Sequence, residues 1–329
     1  MDLKIIKEIL EDREDILNVK IDEATAFRDT QYEFLINCEL VIPTFIIPIV
    51  IAIPHNWRNS LIDIYVQDNK DFPFIPHIDI KGKICLFELE GILIDQNLYG
   101  IISVSLDRAS KIITEGLSSK NQEEFISEFD SYWMQLPHIR FAKCELPKNN
   151  HISLIKYSYK SITKEKREAY GRYLQRIKKQ KIYLSSDPKH LERYYQKNDK
   201  ITIKNALYIS IKVEDYIFPP DPRNGVSKEY VQQLLNYVDV KKYQSLASKL
   251  GNKKLLLFSI QQPNGTVTIL GLILENCEIS TAKQICMLKS VTEIIPVYVE
   301  RIDKQYLMTR SSGTNNPFAK KKVLLIGCG

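Results

Sequence analysis

The stretch Phe72 to Phe87, FPFIPHIDIKGKICLF, sets an imidazole and a thiol eight residues apart with a glycine between them. A cysteine thiolate is a nucleophile that can carry an acyl group as a thioester. A bulky acyl donor can reach such a sulfur only on an exposed, irregular segment with close backbone approach, and the centre of a regular strand would not serve. Pro76 and Gly82 supply that setting, one by fixing a bend and the other by allowing tight turns. Attack on a thioester builds negative charge on the carbonyl oxygen. A fixed donor at His77, or a backbone N–H, would stabilise that charge by about 2.7–4 kcal/mol. His77 could instead take a proton from an incoming lysine or thiol. The bland reading stands beside this one, because most cysteines are small buried apolar residues. Cys38, Cys144, Cys277 and Cys286 lie in apolar or strand-like runs and fit it, while Cys328 fills a glycine turn. A lone histidine is more often a surface or capping residue.

The elements around that bend follow from pattern. Residues 3–17 read as an amphipathic helix, with Ile5, Ile6, Ile9 and Leu10 on one side. From Tyr32 the chain turns to short β-rich runs, YEFLINCELVI, FIIPIVIAI and LIDIYVQ, bounded by Pro, Asn or Asp as in an antiparallel meander. After the bend and a loop to about Tyr99, a helix carries Ile102, Leu106, Ala109, Ile113 and Leu117 as one stripe. A second helix places Phe125, Phe129 and Trp133 at i, i+4 and i+8, as core residues rather than a cofactor box. This is an α+β arrangement. Farther on, EKREAYGRYLQRIKKQK reads as a basic helix, NALYISIKV as a strand, and SKEYVQQLLNYV as a helix capped by Ser227. KKLLLFSIQQPNGTVTILGLILEN is a hairpin about Pro-Asn-Gly. No internal repeat is visible.

The composition is that of a globular protein, 44% hydrophobic and 26% charged over 329 residues. The N-terminal stretch MDLKIIKEILEDRED is charged throughout and has no signal-peptide apolar region. The most apolar segment, Val41 to Pro54, is short and interrupted by three prolines, so no membrane partner is expected. Six scattered cysteines with no CxxC spacing and no His/Cys cluster argue against a zinc site and a disulfide framework, and point to a reducing cytoplasm. The net charge of +6 is uneven. Residues 1–150 carry 15 Lys and Arg against 25 Asp and Glu, residues 151–204 carry 15 against 5, and residues 205–329 carry 16 against 10. That step, with the punctuation ELPKNNHIS, suggests a boundary near residue 150. The basic block holds seven tyrosines, a composition a nucleic-acid surface can show. A basic helix docking on an acidic partner domain explains it as cheaply, and nucleic acid is not the expected partner.

The bend has a relative. Phe72-Pro73-Phe74, Ile75-Pro76-His77 and Gly82-Lys83-Ile84-Cys85-Leu86 resemble the stretch around the active cysteine of ubiquitin-conjugating enzymes. His77 stands where that family carries the asparagine of His-Pro-Asn, which is thought to position the loop and stabilise the oxyanion. Bacterial ubiquitin-conjugating-like proteins commonly show a histidine in this neighbourhood. EEFISEFDSYWMQL resembles a helix of bacterial fusions that join a conjugating domain to a ThiF-like activating domain. So does the C-terminal stretch from Val299, in which Arg301, Asp303 and Arg310 precede KKKVLLIGCG. The loop between Cys85 and Tyr99 departs from the eukaryotic pattern, so the acceptor groove is not carried over.

The resemblance implies a ubiquitin-conjugating-like domain at 1–145, a mixed α/β linker domain at 146–300, and the beginning of a ThiF-like adenylation domain at 301–329. Cys85 and His77 would be catalytic. Gly327, Gly329, Arg301 and Arg310 would belong to a nucleotide site, although Gly-Cys-Gly is also an ordinary strand-end turn. Since the chain stops after that turn, a truncated activating domain is expected, with no cofactor in this chain. ATP-Mg would act in the missing part. The implied activity is transfer of a ubiquitin-like modifier, or of the C-terminus of a cGAS-like nucleotidyltransferase, through a thioester on Cys85. The implied setting is a conjugating/activating fusion of CBASS anti-phage operons. The alternative is a catalytically inactive conjugating-like module that holds a modifier or partner.

Overall fold

A computed structural model of the chain describes residues 3–23, 31–87, 97–147, 152–162, 165, 168–238, 249–250, 254–277, 288 and 290–303. The chain is α+β and divides into two compact units, one ending at Tyr132 and the next starting at Trp133.

The first unit opens with α1 (Leu3–Glu11), β1 (Ile16–Glu23), β2 (Tyr32–Ile42), β3 (Phe45–Pro54) and β4 (Asp63–Val66). The strands form one antiparallel sheet in sequence order. After the cysteine bend come α2 (Leu98–Leu117), α3 (Glu124–Ser127) and α4 (Phe129–Met134). Alternation decides which face of the sheet is buried. Ile36, Cys38 and Leu40 of β2, Ile47, Ile49, Ile51 and Ile53 of β3, and Ile64 and Val66 of β4 join one core. Ile6 and Leu10 of α1 and Ile102, Leu106, Ala109 and Ile113 of α2 belong to the same core. Each of these larger side chains contributes about 1.5–3 kcal/mol on burial. Pro43 sits in the β2–β3 turn and Pro54 ends β3, so neither interrupts a ladder.

Two helix expectations change. The first helix stops at Glu11 instead of running to residue 17, because Ile16 to Glu23 pair with β2, beginning at Ile16 opposite Leu40. Asn18 adopts φ +56 at a bulge between Leu17 and Lys20, which a helix would not accommodate. The helix expected over 121–136 is two short ones. Glu128 leaves helical geometry, at φ −102 and ψ 12, where its carboxylate meets His77.

The second unit is a closed seven-stranded barrel. Its staves are β5 (Arg140–Glu145), β6 (Ser153–Lys160), β7 (Ile182–Ser185), β8 (Ile201–Lys212), β9 (Lys254–Gln261), β10 (Val267–Glu275) and β11 (Glu293–Arg301). Their order around the barrel is β10, β11, β5, β7, β6, β8, β9 and back to β10. The pairs β11–β5, β5–β7 and β8–β9 are parallel and the others antiparallel. Closure leaves no open sheet edge. Ala142, Cys144, Tyr157, Leu184, Tyr208, Leu257 and Val297 share one core. The Pro263-Asn264-Gly265 turn joins β9 to β10, with Gly265 at φ +86. Among the described residues, three helices accompany the barrel strands: α5 (Tyr170–Lys178), α6 (Pro188–Glu192) and α7 (Lys228–Asn236). Ser227 caps α7 by accepting from the Tyr230 N–H at 3.2 Å. Trp133 is buried and donates its Nε1–H to the Val297 carbonyl at 3.1 Å. Among the described residues, no helix is long and apolar enough to cross a membrane.

Candidate active site

His77 and Cys85 are brought side by side by a small hairpin in the bend. The Val66 N–H donates to the Gly82 carbonyl at 2.8 Å and the Ile84 N–H to the Ile64 carbonyl at 2.9 Å, so the returning arm is stitched to β4. Ile78 bridges Ile84, and the Cys85 N–H donates to the His77 carbonyl at 2.7 Å. Asp79 closes the turn, its Oδ1 accepting from the N–H groups of Lys81 and Lys83 at 2.8 and 2.9 Å. Glycine is required at position 82: φ is +81, and an added Cβ would lie 2.4 Å from the Val66 carbonyl oxygen.

The cysteine stands out between two anchors. Ile84 and Leu86 are buried, at 2% and 6% exposure, and the Arg108 guanidinium of α2 holds the Leu86 carbonyl at 3.3 Å. Cys85 itself is exposed, whereas Cys38, Cys144 and Cys277 are buried. Burial pushes the thiols of the buried three upward, that of Cys38 to about 12, which disfavours the thiolate there.

His77 is clamped by the helices that follow α2. Its Nε2 lies 2.9 Å from Glu124 Oε2, and its Nδ1 lies 2.9 Å from Glu128 Oε1 without lining up for a straight hydrogen bond. The backbone is clamped as well. His77 has φ +64, and its N–H donates to the Tyr132 hydroxyl at 2.6 Å, which donates in turn to Glu128 Oε2 at 2.9 Å. Phe74, Phe125 and Tyr132 pack as an aromatic triad, with ring centroids 4.7 to 5.4 Å apart. Gly116 of α2 lets Ile75 approach, since a Cβ there would sit 2.6 Å from Ile75 Cδ1.

The charge consequences are coherent. Contact with Cys85, then with Glu128, raises the His77 pKa from its ordinary 6.5 to about 10, so the ring is an imidazolium at neutral pH. Burial alone would push Glu128 up, but His77 outweighs it and the carboxyl sits below the usual range. Burial, reinforced by Glu128, holds the Tyr132 phenol protonated. A His77 ring nitrogen, Cys85 Sγ and a Glu128 carboxylate oxygen all lie within 4.8 Å of one another. A Cys-His-Glu set is one a zinc ion can use, although the sequence spacing showed no such cluster.

Of the residues singled out in the sequence, the fold therefore brings together His77 and Cys85. Arg301, at the end of β11, has its guanidinium held by both carboxylate oxygens of Asp303, at 2.9 and 3.1 Å. Arg310, Gly327 and Gly329 lie outside the described residues, as do Cys286 and Cys328. Sequence reasoning missed Glu124, Glu128 and Tyr132. Their i, i+4, i+8 spacing marks one helical face, but nothing local says that this face meets a histidine 47 residues upstream.

No curated protein and no solved structure matches the chain. Residues 22–141, little more than a third of the chain, match the model of prokaryotic E2 family B, which supports a bacterial E2-like domain with a ubiquitin-conjugating-like role at the family level.

Proposed function

We propose that the first unit carries the C-terminal acyl group of a ubiquitin-like modifier as a thioester on Cys85 and passes it to an amine. The observation that supports this best is the pairing of the exposed described thiol with a clamped imidazolium. In the loading step the Cys85 thiolate attacks the carbonyl carbon of an incoming thioester. A new C–S bond forms, the old one breaks, and the departing thiolate takes up a proton. In the discharge step an amine attacks that carbon, the C–S bond to Cys85 breaks, and the amine nitrogen gives up a proton. Both steps pass through an oxyanion.

His77 acts as donor and charge partner rather than as base. A ring that stays protonated to about pH 10 has no free lone pair at neutral pH. Nε2 is committed to Glu124, so Nδ1, beside Glu128 but off its axis, is the nitrogen with an N–H to offer the sulfur or the oxyanion. Glu124, Glu128 and Tyr132 are positioning residues for that ring. The modifier arrives from an activating domain that uses ATP-Mg, in a reducing cytoplasm. The anti-phage setting and the nucleotidyltransferase tail as cargo rest on the family resemblance alone.

The test uses a glycine-ended peptide presented as its mercaptoethanesulfonate thioester. Intact-mass spectrometry is expected to find one peptide adduct that is lost on adding dithiothreitol. Cys85→Ala should abolish it and His77→Asn should slow its formation. An adduct that persists in Cys85→Ala, or that resists the reductant, refutes the reading and leaves a binding module.

A further inference from the structure

The barrel contains a cavity of about 310 Å³. Arg140, the first residue of β5, lines it and is only 7% exposed. The strand register places the cavity at one mouth of the barrel, where β5, β7 and β8 begin and β6 ends, with Tyr159 opposite Thr202 and Ala142 opposite Ile182. Tyr157 and Tyr159 form an aromatic wall, their rings 6.0 Å apart and inclined by 26°. Ser161 and Thr202, joined by a 2.7 Å hydrogen bond, add hydroxyls, and Gln180 adds an amide.

Burial pulls the Arg140 pKa down, while the two tyrosines and Glu275 act on it in the opposite direction. The Arg140 side chain forms part of the cavity wall. A guanidinium fork matches a carboxylate or phosphate better than any other ligand group. Tyrosine faces beside it suit a flat ring. The volume is at the lower end for small-molecule sites, which occur in the mouths of barrels, and it is too small for a folded partner. Eight of the ten residues that line the cavity fall in the 151–204 block, whose 15 basic against 5 acidic residues favour anions.

We propose that this barrel mouth binds a small organic anion, a planar ring bearing one carboxylate or phosphate. Its oxyanion sits on Arg140 and its ring against Tyr157 and Tyr159. The site stands independently of the Cys85 chemistry, and it gives the tyrosine-rich basic block a use other than tracking nucleic acid.

Calorimetry and amide-shift mapping on the full chain test it with six probes: adenosine 5′-monophosphate with its parts adenosine and inorganic phosphate, and 4-hydroxybenzoate with its parts phenol and formate. At least one ring-bearing anion should bind more tightly than about 1 mM. Its own separated parts, ring or oxyanion alone, should bind roughly tenfold more weakly or worse, and the shifts should cluster at residues 140, 157, 159 and 202. Preference for the monophosphate identifies a phosphate ligand, and preference for the benzoate a carboxylate ligand. Arg140→Met should weaken binding by roughly ten- to a hundredfold. Tyr159→Leu, at a half-buried position, should weaken it several-fold and serves if Arg140→Met does not fold. Failure of both ring-bearing anions to bind, adenosine binding as well as its monophosphate where the monophosphate is preferred, shifts mapping elsewhere, or wild-type affinity in a folded variant would each overturn the proposal.

Discussion

Replacing Glu128 with Gln removes the carboxylate 2.9 Å from His77 Nδ1 while keeping its shape. Coulomb's law puts the lost attraction at about 6 kcal/mol for an effective dielectric constant of 20 and about 1.4 kcal/mol for that of water. Glu128 is partly open to solvent and Glu124 still holds Nε2, so the lower part of that range applies, about 2 kcal/mol. At about 1.4 kcal/mol per decade, the His77 midpoint should fall from about 10 toward about 8 to 9. The imidazole proton resonances of His77, followed by NMR from pH 5 to 11, report this without any modifier or partner. Stability should follow with a defined sign. The His77 pKa is raised on folding, so its contribution is complete below about pH 6.5 and is lost as pH climbs to about 10. In Glu128→Gln that loss should be smaller and finish near pH 8 to 9. A wild-type His77 that titrates near 6.5 would refute the reasoning outright, and a Glu128→Gln midpoint equal to wild type would remove the carboxylate as its cause.

Other perturbations test other links. Brief iodoacetamide treatment of the folded chain, read by peptide mass spectrometry, should label Cys85 well ahead of Cys38, Cys144 and Cys277, because those three are buried; comparable labelling of Cys144 would contradict the packing. Gly82→Ala combines a positive φ with a 2.4 Å approach to the Val66 carbonyl, so denaturant unfolding should show a loss of about 2 kcal/mol or more. Tyr132→Phe leaves the His77 N–H and Glu128 without their shared hydroxyl and should cost about 1–3 kcal/mol, with slower thioester formation on Cys85.

What could be read ahead of the structure was local. The strand runs, the α2 stripe, the Ser227 cap and the Pro-Asn-Gly turn each depend on residues within a few positions of one another. The bend belongs to the same class. Pro76, Asp79 and Gly82 are close in sequence, and a hairpin over 78–84 is enough to set His77 beside Cys85. Pairing decided against the longer first helix, since residues 16–23 satisfy their backbone groups on β2, a partner that periodicity does not reveal.

The amino-acid sequence by itself determined that Cys85 sits in an irregular, proline- and glycine-shaped segment with an imidazole nearby. Tertiary structure decided the charge state of that imidazole, because Glu124 and Glu128 reach it only once the later helices fold against the bend. It also decided that the basic second half closes into a barrel around Arg140. The reason is the same in both cases. Turns and periodicities are short-range properties of the chain. The field at a buried charge is the sum over neighbours that only long-range packing brings within a few ångströms.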